Sequence, residues 1–508
     1  MKGFGVNGTV VLTFASLIGK MFGAIYRIPL SNMVGAQGIG LYQMAFPIYS
    51  FFLTFITGGV GVILSKNIAH KRAMGDEHGV YKIFKLGMNT CLFFGLFITA
   101  LLLLFAKPFS VLQRNSSASL GYMAISVGFV FASIIGAYRG YYQGYGNMYP
   151  TAISQIIEQV SKLIFGLTLT FFLSKKSIVL GVCGGLLGVS ISEVFAFLYF
   201  AIKNKKIKSY PIKLTGSDYF KFAKELSPIS MSYGILPLSS LIDSFLIINL
   251  LTSGGILVAD ATSIYGIQTG MILPLINIPN VLISALAITT IPKLSYKMAK
   301  KESIILELKR IFKIVIIFLI PCTVGMFFIS DKIVQIIYPT LNILYKNLAI
   351  NLLKISVFEM FFLCFVGISN SILQAMGKIK KPLKSMAIGV FVKIILEIIL
   401  VQIPQINIFG LVISNFFCYF VIGTLNIIEI KKNTNFFMNF KSIIYPIISS
   451  IIMGAFIAIM NSLIFKQASI YVLLFIVIIS VLLYFSLLIL MGELTPSFFK
   501  NMLQKEDT

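Results

Sequence analysis

Between Arg139 and Lys162 the chain reads RGYYQGYGNMYPTAISQIIEQVSK, an arginine, a glutamate, a lysine and several glutamines set before and inside a long apolar run. Pro150 suits the first turn of a helix, where its missing N–H costs nothing. At 1.5 Å per residue, Glu158 and Lys162 then stand about 12 and 18 Å along that helix. Thr151, Ser154, Gln155, Glu158, Gln159, Ser161 and Lys162 recur at steps of three and four and share one face, opposite Ile153, Ile157, Val160 and Ile164. A charged side chain at the centre of a membrane costs roughly 2.5–3.5 kcal/mol, so this stripe must face water, protein or a ligand. Two readings stand: a self-neutralising Glu158–Lys162 pair at i, i+4, or a polar wall meeting a charged substrate. The pair alone leaves the glutamines and serines unexplained.

Other ionisable residues also fall inside apolar runs. Lys20 and Arg27, seven apart, lie on nearly one face of the first run, and Asp243 stands about 22 Å beyond Pro228. Glu193 and Glu359 lie in the sixth and tenth runs. Lys393 and Glu397 are i, i+4 in reversed order among isoleucines and valines, with no polar stripe, which reads as a structural pair. Bland alternatives exist: Arg27 and Arg139 snorkelling to the two interfaces, and Glu193 as a paired core group. Together, cations from the first, fourth and fifth runs facing an acid from the seventh suit an anionic head group in a low-dielectric slot. Lys20, Arg27, Arg139, Gln155, Glu158, Gln159, Lys162 and Asp243 are therefore the candidate substrate-binding residues. Glu193, Glu359, Lys393 and Glu397 are candidate coupling or structural charges.

The elements that must hold these residues are membrane helices. The 508 residues are 57% hydrophobic and 12% charged, where a soluble domain is about a quarter charged. Fourteen apolar runs of roughly 20 residues, enough to cross about 30 Å of hydrocarbon as helix, fall near 8–30, 41–64, 83–106, 119–142, 149–173, 178–201, 226–250, 264–290, 311–330, 350–373, 383–402, 408–429, 442–465 and 470–491. The net charge of +25 is placed loop by loop: with the N-terminus cytoplasmic, inner loops and tails carry 29 of the 42 Lys and Arg, and outer loops eight. That asymmetry predicts an N-in, C-in multi-pass protein of the cytoplasmic membrane and makes the basic charge a topology signal, not a nucleic-acid site.

Gln143-x-x-Gly146-x-x-x-Pro150 recurs as Gln374-x-x-Gly377-x-x-x-x-Pro382, each before a helix with internal charges. A repeat of six helices predicts an all-α protein of two pseudo-symmetric six-helix lobes around a central cavity. The expected division is 1–203, a basic linker 204–225, a second lobe 226–430, and 431–508 with two almost uncharged accessory helices and a tail. Cys91, Cys183, Cys322, Cys364 and Cys418 lie singly in apolar runs, as small hydrophobes do. His70 and His78 share a basic loop with Asp76 and Glu77, and no metal site is expected. The first run, with Lys20 and Arg27 and no small-residue cleavage site, reads as a retained helix. No phosphate-cradling glycine motif appears, which argues against a built-in ATPase.

The stretches GKMFGAIYRIPLSNMVGAQGIGLYQMAFPIYSFFLTFITGGVGVILSK (19–66), RGYYQGYGNMYPTAISQIIEQ, LPLSSLIDSFL and ILQAMGKIKKP resemble the polysaccharide-exporter branch of the multidrug/oligosaccharidyl-lipid/polysaccharide (MOP) flippase superfamily, in particular its sporulation-type and MurJ-type lipid II flippases. The resemblance covers essentially the whole chain. It implies two six-helix lobes around a cationic cavity, a final helix pair forming a groove for a polyprenyl tail, and no enzyme activity. It also implies alternating access that carries an undecaprenyl-pyrophosphate-linked peptidoglycan precursor to the outer leaflet, with the bilayer and the cell-wall synthesis machinery as partners. Arg27 matches the first-helix arginine of the family, Lys20 a position often occupied by arginine, and Asp243 the seventh-helix acid. Further arginines of the better-known branch, in the second and eighth helices, have no counterpart in 41–64 or 264–290. Another undecaprenyl-linked glycan, or less readily a drug exported against a cation, are the alternative cargoes. No cofactor is expected, and coupling to the membrane potential or a monovalent cation is.

Overall fold

The computed structural model describes residues 6–203, 207, 209–300, 302–378, 380–437, 439–463 and 469–494. Every regular element among them is helical. In chain order they are α1 (Val6–Leu53), a π-turn (Thr54–Gly58), α2 (Gly59–Ala73), α3 (Glu77–Leu104), α4 (Ala106–Leu112), a 3₁₀ turn (Ser116–Ala118), α5 (Ser119–Gly144), α6 (Tyr149–Ser174), α7 (Ile178–Lys203), α8 (Gly216–Ser253) and α9 (Val258–Gly266). A second π-turn (Ile267–Ile272) leads into α10 (Leu273–Ala299), α11 (Ile305–Ile337), α12 (Ile343–Ala375), α13 (Lys380–Leu400), α14 (Phe409–Thr434), α15 (Lys441–Leu463) and α16 (Ile470–Leu490).

Twelve helices among the described residues are long and apolar enough to cross a membrane. The first, Phe14–Ala73, has 60 residues, about 90 Å of helix and room for two crossings. It is interrupted at Gly35, whose φ of 69° lies in the left-handed region that glycine tolerates. Counting it twice and adding α13 gives the fourteen expected spans. Local sequence sets the helix starts. Asp76 caps α3, accepting from the Gly79 N–H at 2.7 Å, and Thr215 and Asp218 form a reciprocal capping box on α8.

The helices pack as two compact units, 1–275 with 395–411, and 276–394 with 412–508. The packing boundary falls at Leu275, since α8 and α9 both pack on α1; the lobes expected above follow the sequence repeat, a different criterion. In the first unit, α6 and α7 touch backbone to backbone: a Cβ on Gly188 would lie 2.2 Å from the Gly166 Cα. Ser190 on α7 accepts from the Gly128 N–H at 3.1 Å and donates to the Ala124 carbonyl at 2.8 Å, seating α7 on α5 as well.

In the second unit, Asn426 on α14 donates to Ser369 Oγ and Asn370 Oδ1 on α12 at 3.0 and 2.7 Å. Tyr484 on α16 donates to the Ile317 carbonyl of α11 at 2.8 Å. Outward from that contact α16 exposes Ile478, Leu482 and Leu490, the surface expected of a helix against lipid.

Candidate functional site

The short turn between α5 and α6 brings Arg139 against the polar face of α6. Its Nη2 donates to Glu158 Oε2 at 2.9 Å and its Nε to Ser154 Oγ at 3.0 Å. Ser154 and Glu158 stand one helical turn apart, so the planar guanidinium bridges two rungs of the stripe. Gln159 Nε2 donates to the other Glu158 oxygen at 3.1 Å, and Ser16 on α1 donates to Gln155 Oε1 at 3.3 Å. The opposite face is apolar, with Ile153 and Ile164 exposed.

Two of the blander readings fall here. Glu158 is paired with Arg139 across helices, and not with Lys162 along its own. Arg139 does not snorkel, because a carboxylate and a hydroxyl within α6 satisfy it.

Lys162 is thereby left facing α1. Its Nζ lies 5.4 Å from the centroid of the Tyr26 ring, and the Arg27 guanidinium lies 5.4 Å from that of Phe46. Among the described residues neither cation makes an ion pair. The ring faces give each a weak negative surface, worth about 0.5–2 kcal/mol. Tyr26 is fixed by its own hydroxyl, which donates to the Gly185 carbonyl of α7 at 2.9 Å.

Glu193 on α7 is 3% exposed and accepts from the Tyr49 hydroxyl at 2.9 Å. Tyr49 ends an aromatic run with Tyr42 and Phe46, whose successive centroids are 5.4 and 6.2 Å apart. Glu193 is thus a buried acid hydrogen-bonded to a neutral tyrosine, and it also lines a cavity. That cavity, about 270 Å³, is lined by Arg139, Thr151, Gln155, Glu158, Glu193 and Tyr233 among others. Among the described residues the buried Thr151 hydroxyl has no hydrogen-bond partner there. Thr151 belongs to the stripe that the sequence shows, whereas sequence reasoning missed Tyr49; its signal was the spacing of 42, 46 and 49, which places three aromatic rings on one helix face.

The remaining candidates lie apart from this cavity's lining. Asp243 is 7% exposed on α8, Glu359 is fully buried on α12, and Lys393 and Glu397 are buried on α13. The Lys20 side chain falls outside the described residues. Among the described residues no three His, Cys, Asp or Glu side chains come together as a metal site.

Three comparisons bear on what this arrangement belongs to. A family model described as polysaccharide biosynthesis protein matches residues 6–298. The chain is 26% identical to lipid II flippase MurJ of Bacillus subtilis (strain 168) over 480 residues, 88% of this chain and 87% of that protein. It is 26% identical to stage V sporulation protein B of the same organism over 418 residues, 80% and 79% of the two chains. In fold it is similar to a solved lipid II flippase MurJ in an inward closed conformation, with a TM-score of 0.77, 16% identity, and 97% and 100% of the two chains covered.

Proposed function

The chain belongs to the polysaccharide biosynthesis protein family, and we propose that it is a flippase of the MOP superfamily, and not an enzyme, whose lipid-linked cargo is the undecaprenyl-pyrophosphate-linked peptidoglycan precursor, lipid II. The observation that carries this reading is the pair of cations, Arg27 and Lys162, held in membrane-spanning helices beside aromatic rings and with no carboxylate partner among the described residues. A buried cation without a counter-charge is costly, and a pyrophosphate supplies that charge in its bound state. Charge-assisted bonds to phosphate oxygens are among the strongest a side chain makes. Two similar proteins are a lipid II flippase and a sporulation protein, which supports the same cargo class.

An anionic head group moved outward across an inside-negative membrane gains about 2.3 kcal/mol per net charge per 100 mV, so no nucleotide is needed to drive it. The loop charges support an N-in, C-in placement in the cytoplasmic membrane, where this substrate is made.

The test is outward flipping of lipid II in cells whose own flippase can be shut off, scored by precursor accessible to an external probe. Restored accessibility, lost again in Arg27→Ala, is the expected result. A correctly inserted chain that restores none overturns lipid II as the cargo. The absence of arginine from 41–64 and 264–290 then favours another undecaprenyl-linked glycan.

A further inference from the structure

Four polar side chains climb one face of α6. Thr151, Gln155, Glu158 and Lys162 follow one another at steps of three and four, so from the α5–α6 turn onward that face presents a hydroxyl, an amide, a carboxylate and an ammonium. The first three line the cavity of about 270 Å³. Lys162 stands one turn beyond Glu158, about 6 Å further along the helix.

The cavity is not itself an anion site. Arg139 is the one cation among its described lining residues, and it is bound to Glu158 and Ser154. The other Glu158 oxygen accepts from Gln159, and Glu193 accepts from the Tyr49 hydroxyl. What is unspent is neutral. The Thr151 hydroxyl, in a side chain 1% exposed, has no hydrogen-bond partner among the described residues. Gln155 accepts from Ser16 through Oε1, which leaves its amide N–H donors, and the Gln143 amide and Tyr233 ring complete the polar lining. A buried hydroxyl without a partner is costly, and a ligand that supplies one removes that cost. Gly61 puts bare backbone on the wall, since a Cβ there would meet only the Gly136 carbonyl, at 4.0 Å. At about 270 Å³ the space lies just below the roughly 300–1,000 Å³ of pockets that hold a whole drug-sized ligand. It suits one sugar ring.

We propose, resting on the reading above of Arg27 and Lys162 as the pyrophosphate site, that this cavity is the glycan subsite of the carrier. It holds the sugar bonded directly to the pyrophosphate, through that sugar's hydroxyl and acetamido groups. With the phosphates on Lys162, the covalent bond keeps the first ring beside them, and the cavity begins one turn away on the same face of α6. Thr151 and Gln155 are then specificity-determining residues. They distinguish a glycan-bearing lipid from bare undecaprenyl pyrophosphate, whereas the two cations hold both.

The experiment compares three lipids on the full chain in detergent by calorimetry: undecaprenyl pyrophosphate, undecaprenyl-pyrophosphate-linked glucose and lipid II. Wild type is expected to bind lipid II the tightest and undecaprenyl pyrophosphate the weakest. Thr151→Val, which keeps the shape and removes the hydroxyl, is expected to weaken lipid II about 2- to 12-fold, the worth of one neutral hydrogen bond, and to leave undecaprenyl pyrophosphate unchanged. Gly61→Ala, whose methyl enters the cavity without crowding the protein, is expected to show the same selective loss with every polar group in place. Equal affinity of wild type for all three lipids overturns the subsite, as does the absence of a selective loss in both variants. A preference for the glucose-linked lipid that both variants lose, with none for lipid II, upholds a sugar subsite and overturns lipid II as the cargo. Undecaprenyl pyrophosphate binding that survives Arg27→Ala/Lys162→Ala overturns the cations as the pyrophosphate site, and the difference between lipids still decides the subsite.

Discussion

Arg139 near the end of α5 and Glu158 on α6 are joined at 2.9 Å across nineteen residues of sequence, and that one bond leaves Lys162, the cation of α6, without its helix neighbour as a partner. With Glu158 taken, Lys162 turns to the Tyr26 ring and Arg27's side of the unit.

Arg27→Ala and Lys162→Ala should each abolish or strongly reduce transport while leaving the amount of inserted protein unchanged. Each removes a charged hydrogen bond worth about 1.5–3 kcal/mol, or roughly 10- to 150-fold in binding. Accessibility of the lipid precursor together with membrane quantification separates this from misfolding. Wild-type flipping by both variants would reassign these residues to a structural role.

Arg139→Ala should destabilise the protein by about 3 kcal/mol, the low end for a broken buried pair, because Glu158 is left without its counter-charge. The double variant Arg139→Ala/Glu158→Ala should regain part of the loss. Thermal unfolding in detergent reads both, and equal stability of single and double variants would show that the pair is not what holds α5 to α6.

Much of this was legible beforehand. The fourteen spans, the polar stripe and its apolar reverse follow from periodicity alone, since steps of three and four fix a helix face whatever lies beyond it. The partner of Glu158 was not legible. Spacing within one helix favours Lys162, whereas the bond forms across a turn, where the fork of an arginine can reach Ser154 and Glu158 together. Likewise Glu193 was visible as a charge in an apolar run, but Tyr49, 144 residues away, could be paired with it only in three dimensions.

Gly188→Ala should lower the unfolding temperature, the added methyl meeting the Gly166 backbone at 2.2 Å. Overpacking of this kind costs about 1–3 kcal/mol. A fully stable Gly188→Ala variant would mean that α6 and α7 are less tightly seated than described.

Asp76 gives a pH signature outside the membrane. The Lys71 ammonium, at 2.9 Å, and then the Gly79 N–H hold its carboxyl below the ordinary value of 3.8. Because the folded value is the lower one, its contribution to stability is full above about pH 4 and is lost as pH falls through the folded value. Asp76→Asn should therefore narrow its gap to wild type as unfolding is measured at progressively lower pH; a gap independent of pH would contradict it.

The glycine contact between α6 and α7 has a consequence for measurement of the cargo itself. Two helices in backbone contact cannot part without opening a void, so Lys162, Glu158 and Glu193 travel as a fixed jaw. α1 is tied to the same block beside Arg27: the Tyr26 hydroxyl reaches the Gly185 carbonyl of α7 at 2.9 Å, and a Cβ on Gly166 of α6 would meet that hydroxyl at 2.7 Å. Arg27 and Lys162 are therefore the two ends of a fixed span, which gauges an anion by its width as well as by its charge.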